Sequence, residues 1–193
     1  TSITEINIPE SVEIIGNSSF KDCNKLAKIS IPNGVKKIEN ETFVNCQCLS
    51  KIIIPDSIIS IGNKSFSGCT NLIQISIPSS VTSIGDFAFE NCSSLIEISI
   101  PASVTSIGES IFCGCTALTQ ISIPSTMKTI SSNALCKCSS LPHLLIPLTV
   151  TEIKAHAFSE CKSLKKLIIP SSVTSIGDYA FEGCSALEAI SIP

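Results

Sequence analysis

The sequence lacks the patterns on which catalysis and nucleic-acid binding usually depend. It has no tryptophan, one tyrosine and two histidines, and only 15% of its residues are charged. The net charge of −3 at pH 7 gives no electrostatic attraction for nucleic acid or an anionic membrane. It contains neither G-x-x-x-x-G-K-[ST] nor G-x-G-x-x-G, and no serine or carboxylate is placed by a pattern to form a catalytic set. We therefore expect that the protein is not an enzyme and that it has neither a cofactor nor a nucleic-acid partner.

Long apolar segments are missing as well, although hydrophobic residues make up 44% of the chain. No run of them approaches the roughly 18 to 20 residues that span a bilayer, so we expect no membrane insertion within this chain. The hydrophobic residues recur instead at short, regular intervals, and this spacing carries the main signal in the sequence.

A unit of 23 residues fills the chain. A fixed period of this length is the signature of stacked repeats, which form a solenoid. Residues 10–193 hold eight such units, and one unit buries too little to fold alone, so stability belongs to the stack. The period is marked by a series of prolines, with only Pro142 outside it: Pro9, Pro32, Pro55, Pro78, Pro101, Pro124, Pro147, Pro170 and Pro193.

Apolar residues at fixed positions in each unit predict two short strands. The segment L-x-x-I-x-I-P alternates apolar and polar residues as a half-buried strand does, and proline ends it. The β-branched segment V-x-x-I after the proline predicts a second short strand. Parallel strands stack about 4.8 Å apart, so successive units become coils of a rod or arc. The first pattern predicts parallel strands near residues 28–31, 51–54, 74–77, 97–100, 120–123, 143–146, 166–169 and 189–192.

The stretch between the V-x-x-I strand and the L-x-x-I-x-I-P strand that follows it predicts a helical turn. Glycine there suits a turn that needs a positive φ, at Gly16, Gly62, Gly85, Gly108 and Gly177. The residue after this position is mostly asparagine, aspartate or serine, which are good helix N-caps. The A-F-x-x-C segment then places an aromatic residue and a cysteine three residues apart, on one face of the turn.

The complete unit resembles the leucine-rich repeat of the BspA type, also called the Treponema pallidum type, with the consensus LxxIxIPxxVxxIGxxAFxxC. The resemblance covers nearly the whole chain, and its departures are local: Glu39, Ser131 and Lys154 replace the glycine, and Pro142 enters a strand. It implies a leucine-rich-repeat solenoid of parallel strands and short helical turns, with about eight coils. It also implies a non-enzymatic adhesion protein, at the cell surface or secreted, that binds host proteins or other cells.

The two ends of the sequence bear on domain organisation. The chain starts in the second half of a unit, without a signal peptide, and neither end carries a polar cap. Because an uncapped array exposes its apolar edges, we expect residues 1–193 to be one solenoid domain and a fragment of a longer array.

Eleven cysteines are present, and eight of them occupy one column of the repeat. A small buried apolar residue fits this column, so we expect these eight thiols to be buried and unpaired. Of the three others, Cys113 and Cys136 share a column that looks largely exposed, in adjacent coils, and form the candidate disulfide. A metal cluster of the C-x-C pairs with His143 is disfavoured, because Cys138 should point into the core and Cys136 away from it.

The outward face of the longer strands carries the candidate binding site. Most units have serine at the last outward position of this strand, but three have Ile53, Leu145 and Ile168. Leu145 and Ile168 belong to adjacent coils and lie beside His143 and Lys166, so the pattern predicts an apolar pair with a polar rim. We expect a protein partner, or a second copy of the chain, to dock at His143, Leu145, Lys166 and Ile168.

Two other functions stay open at this point. An intracellular scaffold or signalling adaptor is compatible with a ladder of free thiols, and the full-length N-terminus, with or without a signal segment, would separate it from a surface protein. An ice or crystal binder would use a column of threonines that two lysines interrupt: Thr82, Thr105, Thr151 and Thr174.

Overall fold

The chain is a stack of coils in a computed structural model that describes residues 2–191. Coil 1 comprises residues 10–32, and each later coil begins 23 residues further on. Coils 5, 6 and 7 are therefore residues 102–124, 125–147 and 148–170.

A strand of three residues precedes each proline of the series, and paired strands are parallel and in register. The middle residue points into the stack and the flanking two point outward, as the alternation predicts. The predicted strands are confirmed, except that the end of the last one, residue 192, lies outside the described residues. The strands are β1 (Glu5–Asn7), β2 (Lys28–Ser30), β4 (Lys51–Ile53), β6 (Gln74–Ser76), β8 (Glu97–Ser99), β10 (Gln120–Ser122), β12 (His143–Leu145), β14 (Lys166–Ile168) and β16 (Ala189–Ser191).

The second predicted strand is also present, as a two-residue segment from coil 2 onward. These segments again pair in parallel from coil to coil and bury a β-branched isoleucine in most coils. They are β3 (Lys37–Ile38), β5 (Ser60–Ile61), β7 (Ser83–Ile84), β9 (Ser106–Ile107), β11 (Thr129–Ile130), β13 (Glu152–Ile153) and β15 (Ser175–Ile176).

Identical side chains stack through the core because identical columns lie above one another. The phenylalanine rings of coils 1 to 5 have centroids 5.3 to 5.7 Å apart and interplanar angles of 2° to 14°. Leu135 replaces the ring in coil 6, and the stack resumes with Phe158 and Phe181 at 5.5 Å. Offset stacking of this kind adds to the stability gained by burial of the rings.

The cysteine column forms a hydrogen-bonded ladder. Seven of the eight thiols donate to a carbonyl of the preceding coil, as Cys69 Sγ does to the Phe43 oxygen at 3.1 Å and Cys92 Sγ to the Phe66 oxygen at 3.2 Å. Seven of the eight thiols are buried and all are free, as predicted. Cys184 is only half-buried, contrary to the prediction, because coil 8 packs against a neighbouring coil on one side only.

The expected helical turn is wrong, since none of residues 2–191 is helical. Two residues per coil have positive φ, which interrupts any helix; in coil 2 they are Glu41 at 57° and Asn45 at 58°. Backbone N–H groups then point to the next coil: Phe43 N donates to Ser65 O at 2.8 Å, and equivalent bonds recur in other coils. We call this series of bonds between turns the turn ladder.

The glycine and asparagine columns also act differently from the prediction. Gly62 does not have a positive φ; a Cβ atom there would lie 2.7 Å from the Asn40 nitrogen, so glycine allows close approach of two backbones. The following polar residue caps the next coil and not a helix. Asn17 Oδ1 accepts from the Asn40 N–H at 3.0 Å, and Asn40 Oδ1 accepts from the Asn63 N–H at 2.8 Å.

Candidate protein-binding site

The candidate site lies on two paired strands, β12 and β14. Their register places His143 opposite Lys166 and Leu145 opposite Ile168. All four flank the buried middle residue of their strand and are exposed. Leu145 and Ile168 are 83% and 68% exposed, values far above those of core leucines and isoleucines. The structure therefore brings together the four residues that the sequence selected.

Leu148 is a further exposed apolar residue, and the sequence reasoning missed it. It begins coil 7, three residues after Leu145, and is 80% exposed. In every other coil this position holds a polar residue or alanine. The same comparison of column members that singled out Leu145 and Ile168 would have found it. We call Leu145, Leu148 and Ile168 the apolar patch.

Ile53 also departs from serine on the strand face, but it stands alone. It is 71% exposed, and its neighbours in register are Ser30 and Ser76. Isolated exposed apolar residues are ordinary on protein surfaces. Ile53 therefore provides a matched comparison for the apolar patch.

A shallow polar groove lies on the same face of coils 3 to 5. Its volume is about 450 Å³. Glutamine, glutamate and serine side chains of three successive strands line it, namely Gln74, Ser76, Glu97, Ser99, Gln120 and Ser122. The strand face thus passes from a hydrogen-bonding surface to the apolar patch within a few coils.

Both strand ladders are interrupted between coils 5 and 6, at a position that we call the joint. Among the described strands, β10 does not pair with β12, and β9 does not pair with β11. The sheets resume on either side, so β12 lies at a sheet edge beside the joint. The apolar patch therefore borders the joint.

Pro142 explains the interruption of the longer strands. In the neighbouring coils, the residue of this column donates its N–H to the preceding coil, as Thr119 does to Ile96 O at 2.9 Å. Proline has no N–H, so the bond from coil 6 to coil 5 cannot form. Its carbonyl still accepts from Lys165 N at 3.2 Å, which keeps coil 7 attached to coil 6.

Ser131 accompanies the interruption of the shorter strands. At the equivalent position Gly108 donates its N–H to Ile84 O at 2.9 Å. In Ser131 the side-chain hydroxyl donates to Ile107 O instead, at 3.2 Å. A side chain alone does not cause this change, because Lys154 in the same column keeps the backbone bond to Ile130 O at 2.9 Å.

The joint opens a small apolar cleft in the core. Ile107, Ile121 and Ile123 line it and are only half-buried, whereas most residues of their columns are buried. Its volume is about 30 Å³. The turn ladder remains intact across the joint, with Phe112 N donating to Ala134 O at 3.0 Å. The backbones of the two coils are thus hydrogen-bonded through the turn ladder, whereas their strands are not paired.

Cys113 and Cys136, which lie outside the ladder, are less exposed to solvent than predicted. Cys136 is buried, at 9% exposure, and Cys113 is half-buried, so the prediction of an exposed column is wrong. Burial and the neighbouring Cys136 thiol raise the pKa of Cys113 to about 12. The structure does not bring His143 together with the C-x-C pairs: it lies on the strand face, whereas Cys138 bonds to Phe112 O inside the core.

Within residues 2–191, no helix has the length and hydrophobicity needed to cross a bilayer. The same residues contain no group of three His, Cys, Asp or Glu side chains arranged to hold a metal ion.

The chain is similar to solved leucine-rich repeat structures. It is 26% identical to the T. pallidum Leucine Rich Repeat protein, with a TM-score of 0.75 over 97% of this chain and 79% of that one. A leucine rich cell surface protein from Faecalibacterium prausnitzii is 24% identical, with a TM-score of 0.61 over 100% of this chain and 73% of that one. The pneumococcal vaccine antigen PcpA is 20% identical, with a TM-score of 0.58 over 98% of this chain and 62% of that one.

The family assignment rests on the repeat itself. No protein of curated function matches the chain. The profile of the BspA type leucine rich repeat region matches residues 1–119 and 105–193, with six copies. Since these matches together span the full sequence and the coils have the expected parallel strands, the chain belongs to the BspA-type leucine-rich repeat family.

Proposed function

We propose that this chain is a non-enzymatic protein-binding module of a cell-surface or secreted adhesion protein. Its partner is a protein on a host or neighbouring cell, and it docks on the strand face of coils 6 and 7. His143, Leu145, Lys166 and Ile168 form the contact, with Leu148 at its edge. The module is one solenoid domain within a longer array.

The exposed apolar patch is the observation that carries this proposal. Protein interfaces combine a desolvated apolar centre with a polar rim. Leu145 and Ile168 supply the apolar centre, opposite each other in the register, and His143 and Lys166 supply the rim. The polar groove of coils 3 to 5 extends the same face, so a protein can make further hydrogen bonds there.

The surface location rests on the relatives. A similar structure is described as a leucine rich cell surface protein. Leucine-rich repeats commonly use their extended strand surface for protein recognition. Both points favour an extracellular binding module over a catalyst.

The test compares the double variant Leu145→Ser, Ile168→Ser with the single variant Ile53→Ser. The wild-type protein and each variant are labelled, and the binding of each to epithelial cell monolayers is measured. Sedimentation velocity reports the self-association of each protein. The double variant should bind roughly tenfold more weakly or worse, because it removes both apolar contacts. Ile53→Ser should bind like the wild type.

The melting temperatures of the variants serve as the control for folding. Both variants place serine where most coils already have it, so their melting temperatures should match the wild type closely. A double variant that binds as well as the wild type would refute the site. A wild-type protein that binds neither cells nor itself would refute the function, and so would retention of the full-length protein in the cytosol, as expected of a scaffold.

A further inference from the structure

Two of the three cysteines outside the ladder face each other across the joint. Cys113 belongs to coil 5, and Cys136 is its equivalent in coil 6. The N–H of Gly114, next to Cys113, donates to the Cys136 carbonyl at 2.8 Å. The Asn91 N–H donates to the Cys113 carbonyl at 2.7 Å, so the backbone around both cysteines belongs to the turn ladder.

The spacing of the coils permits a covalent bond between these two residues. Extended backbones that are hydrogen-bonded side by side lie about 4.8 Å apart, and the turn ladder joins coils 5 and 6 by such bonds next to both cysteines. This distance falls within the Cα separation of roughly 4.4 to 6.8 Å that disulfides span. The two side chains are also near enough to influence each other, since the Cys136 thiol contributes, after burial, to the raised pKa of Cys113.

The position of the pair coincides with the weakest connection in the stack. Between coils 5 and 6 both strand ladders are missing, and the turn ladder carries the remaining backbone bonds. The ladder cysteines do not serve as a covalent link between coils 5 and 6, because their thiols are buried and donate to carbonyls. In the column of Cys113 the other coils have lysine, valine, serine or glutamate, and the two cysteines occur only where the strand ladders fail.

We propose that Cys113 and Cys136 form a disulfide that fastens coil 5 to coil 6 when the protein meets an oxidising environment. The half-buried Cys113 reacts first with glutathione disulfide: its thiolate attacks one sulfur, forms a mixed disulfide and releases one glutathione. The buried Cys136 thiolate then attacks the Cys113 sulfur and releases the second glutathione. Two thiols lose two electrons and two protons, and one glutathione disulfide becomes two glutathiones.

The cross-link strengthens the turn side of the joint and leaves the strand side as it is. It closes a loop of one repeat unit, which lowers the entropy of the unfolded chain. It also fixes the backbone bonds next to it, those of Phe112 N to Ala134 O and Gly114 N to Cys136 O.

The experiment incubates the whole chain with a mixture of oxidised and reduced glutathione. Because the pKa of Cys113 is raised, exchange is slow at neutral pH, and the incubation must be long. Free thiols are then alkylated in denaturant, and the digest is analysed by mass spectrometry. We expect a peptide pair linked through Cys113 and Cys136, while the ladder cysteines carry the alkyl group.

Thermal unfolding and amide exchange give two further readouts. Oxidation should raise the melting temperature by roughly 6 to 12 °C and slow the exchange of the Phe112 and Gly114 amides. The shift should disappear in Cys113→Ser and in Cys136→Ser, and it should persist in Cys48→Ser, which removes the third cysteine outside the ladder. Alkylated Cys113 and Cys136 after oxidation would overturn the proposal, and so would a shift that survives in Cys113→Ser.

Discussion

The glycine column gives the sharpest test of how the coils pack. Gly62 and Gly16 occupy the same position in different coils, and neither has a positive φ. A Cβ atom on Gly62 would lie 2.7 Å from both the Asn40 nitrogen and the Glu39 carbonyl carbon, which are backbone atoms. On Gly16 the nearest atom is the Ser19 Oγ, at an ordinary 3.7 Å. Alanine should therefore be harmful at Gly62 and harmless at Gly16.

The size of the effect follows from the atoms that must move. Relief of the contact at Gly62 requires coil 3 to shift from coil 2, which lengthens the 2.8 Å bond from Gly62 N to Ile38 O. Overpacking of this kind costs about 1 to 3 kcal/mol. Lys154 bears a side chain in this column and keeps its backbone bond, which favours the lower half of that range. Gly16→Ala should stabilise by about 0.4 to 1 kcal/mol, because alanine restricts the unfolded chain.

Thermal unfolding followed by circular dichroism measures both variants. Gly62→Ala should lower the melting temperature by roughly 2 to 8 °C, whereas Gly16→Ala should leave it unchanged or raise it slightly. Equal effects at the two sites would refute the reasoning, because the two glycines would then not differ in their contacts. A positive-φ requirement predicts losses at both positions.

Two further predictions concern the core and its response to pH. Ile84→Asp should cost at least about 4 kcal/mol in urea unfolding, because it buries a carboxylate in place of an isoleucine that is 2% exposed. The exposed Thr82→Asp should cost below about 1 kcal/mol, and similar losses would mean that the faces are misassigned. Burial raises the pKa of Cys46 and Cys161 from 9.0 to about 12, so the unfolded chain loses these protons first. Stability should hold below about pH 9 and fall towards pH 12, by up to about 1.4 kcal/mol per pH unit for each buried thiol, and a flat profile from pH 8 to 11 would contradict this.

The strands were predictable because their signal is local and repeated. Alternation around residues such as Ile75 and Ile98 fixes which side chains enter the core, and the prolines mark where each strand ends. The apolar pair of Leu145 and Ile168 was predictable for the same reason, since parallel stacking places equal positions opposite each other.

The turn was not predictable by the same reasoning. One of its two positive-φ columns holds Glu41, Lys64 and Phe87, which have no preference for that conformation. The contacts between coils impose it, because the turn ladder aligns these backbones. The prediction of a positive φ for the glycine column was wrong for a related reason. Glycine is needed there because the backbone of the neighbouring coil lies close, and the local sequence does not show that contact.

The joint was only partly visible in the sequence. Ser131 and Pro142 stood out as departures from the repeat, yet Glu39 and Lys154 depart at the same position as Ser131. Only the arrangement of hydrogen bonds shows that two departures in one coil interrupt two ladders at the same place. The apolar patch and the cysteine pair lie beside this interruption, so coil 6 differs from the others in several respects at once.

The most direct test of this account is residue-resolved amide hydrogen exchange across the joint. In coil 5, Thr105 and Gly108 donate to the preceding coil at 3.0 and 2.9 Å, whereas Lys128 and Ser131 in coil 6 have no backbone acceptor among the described residues. Lys128 and Ser131 should therefore exchange roughly tenfold faster or more than their coil 5 equivalents. Equal protection in the two coils would show that the strand ladder is continuous and would contradict the joint on which the account rests.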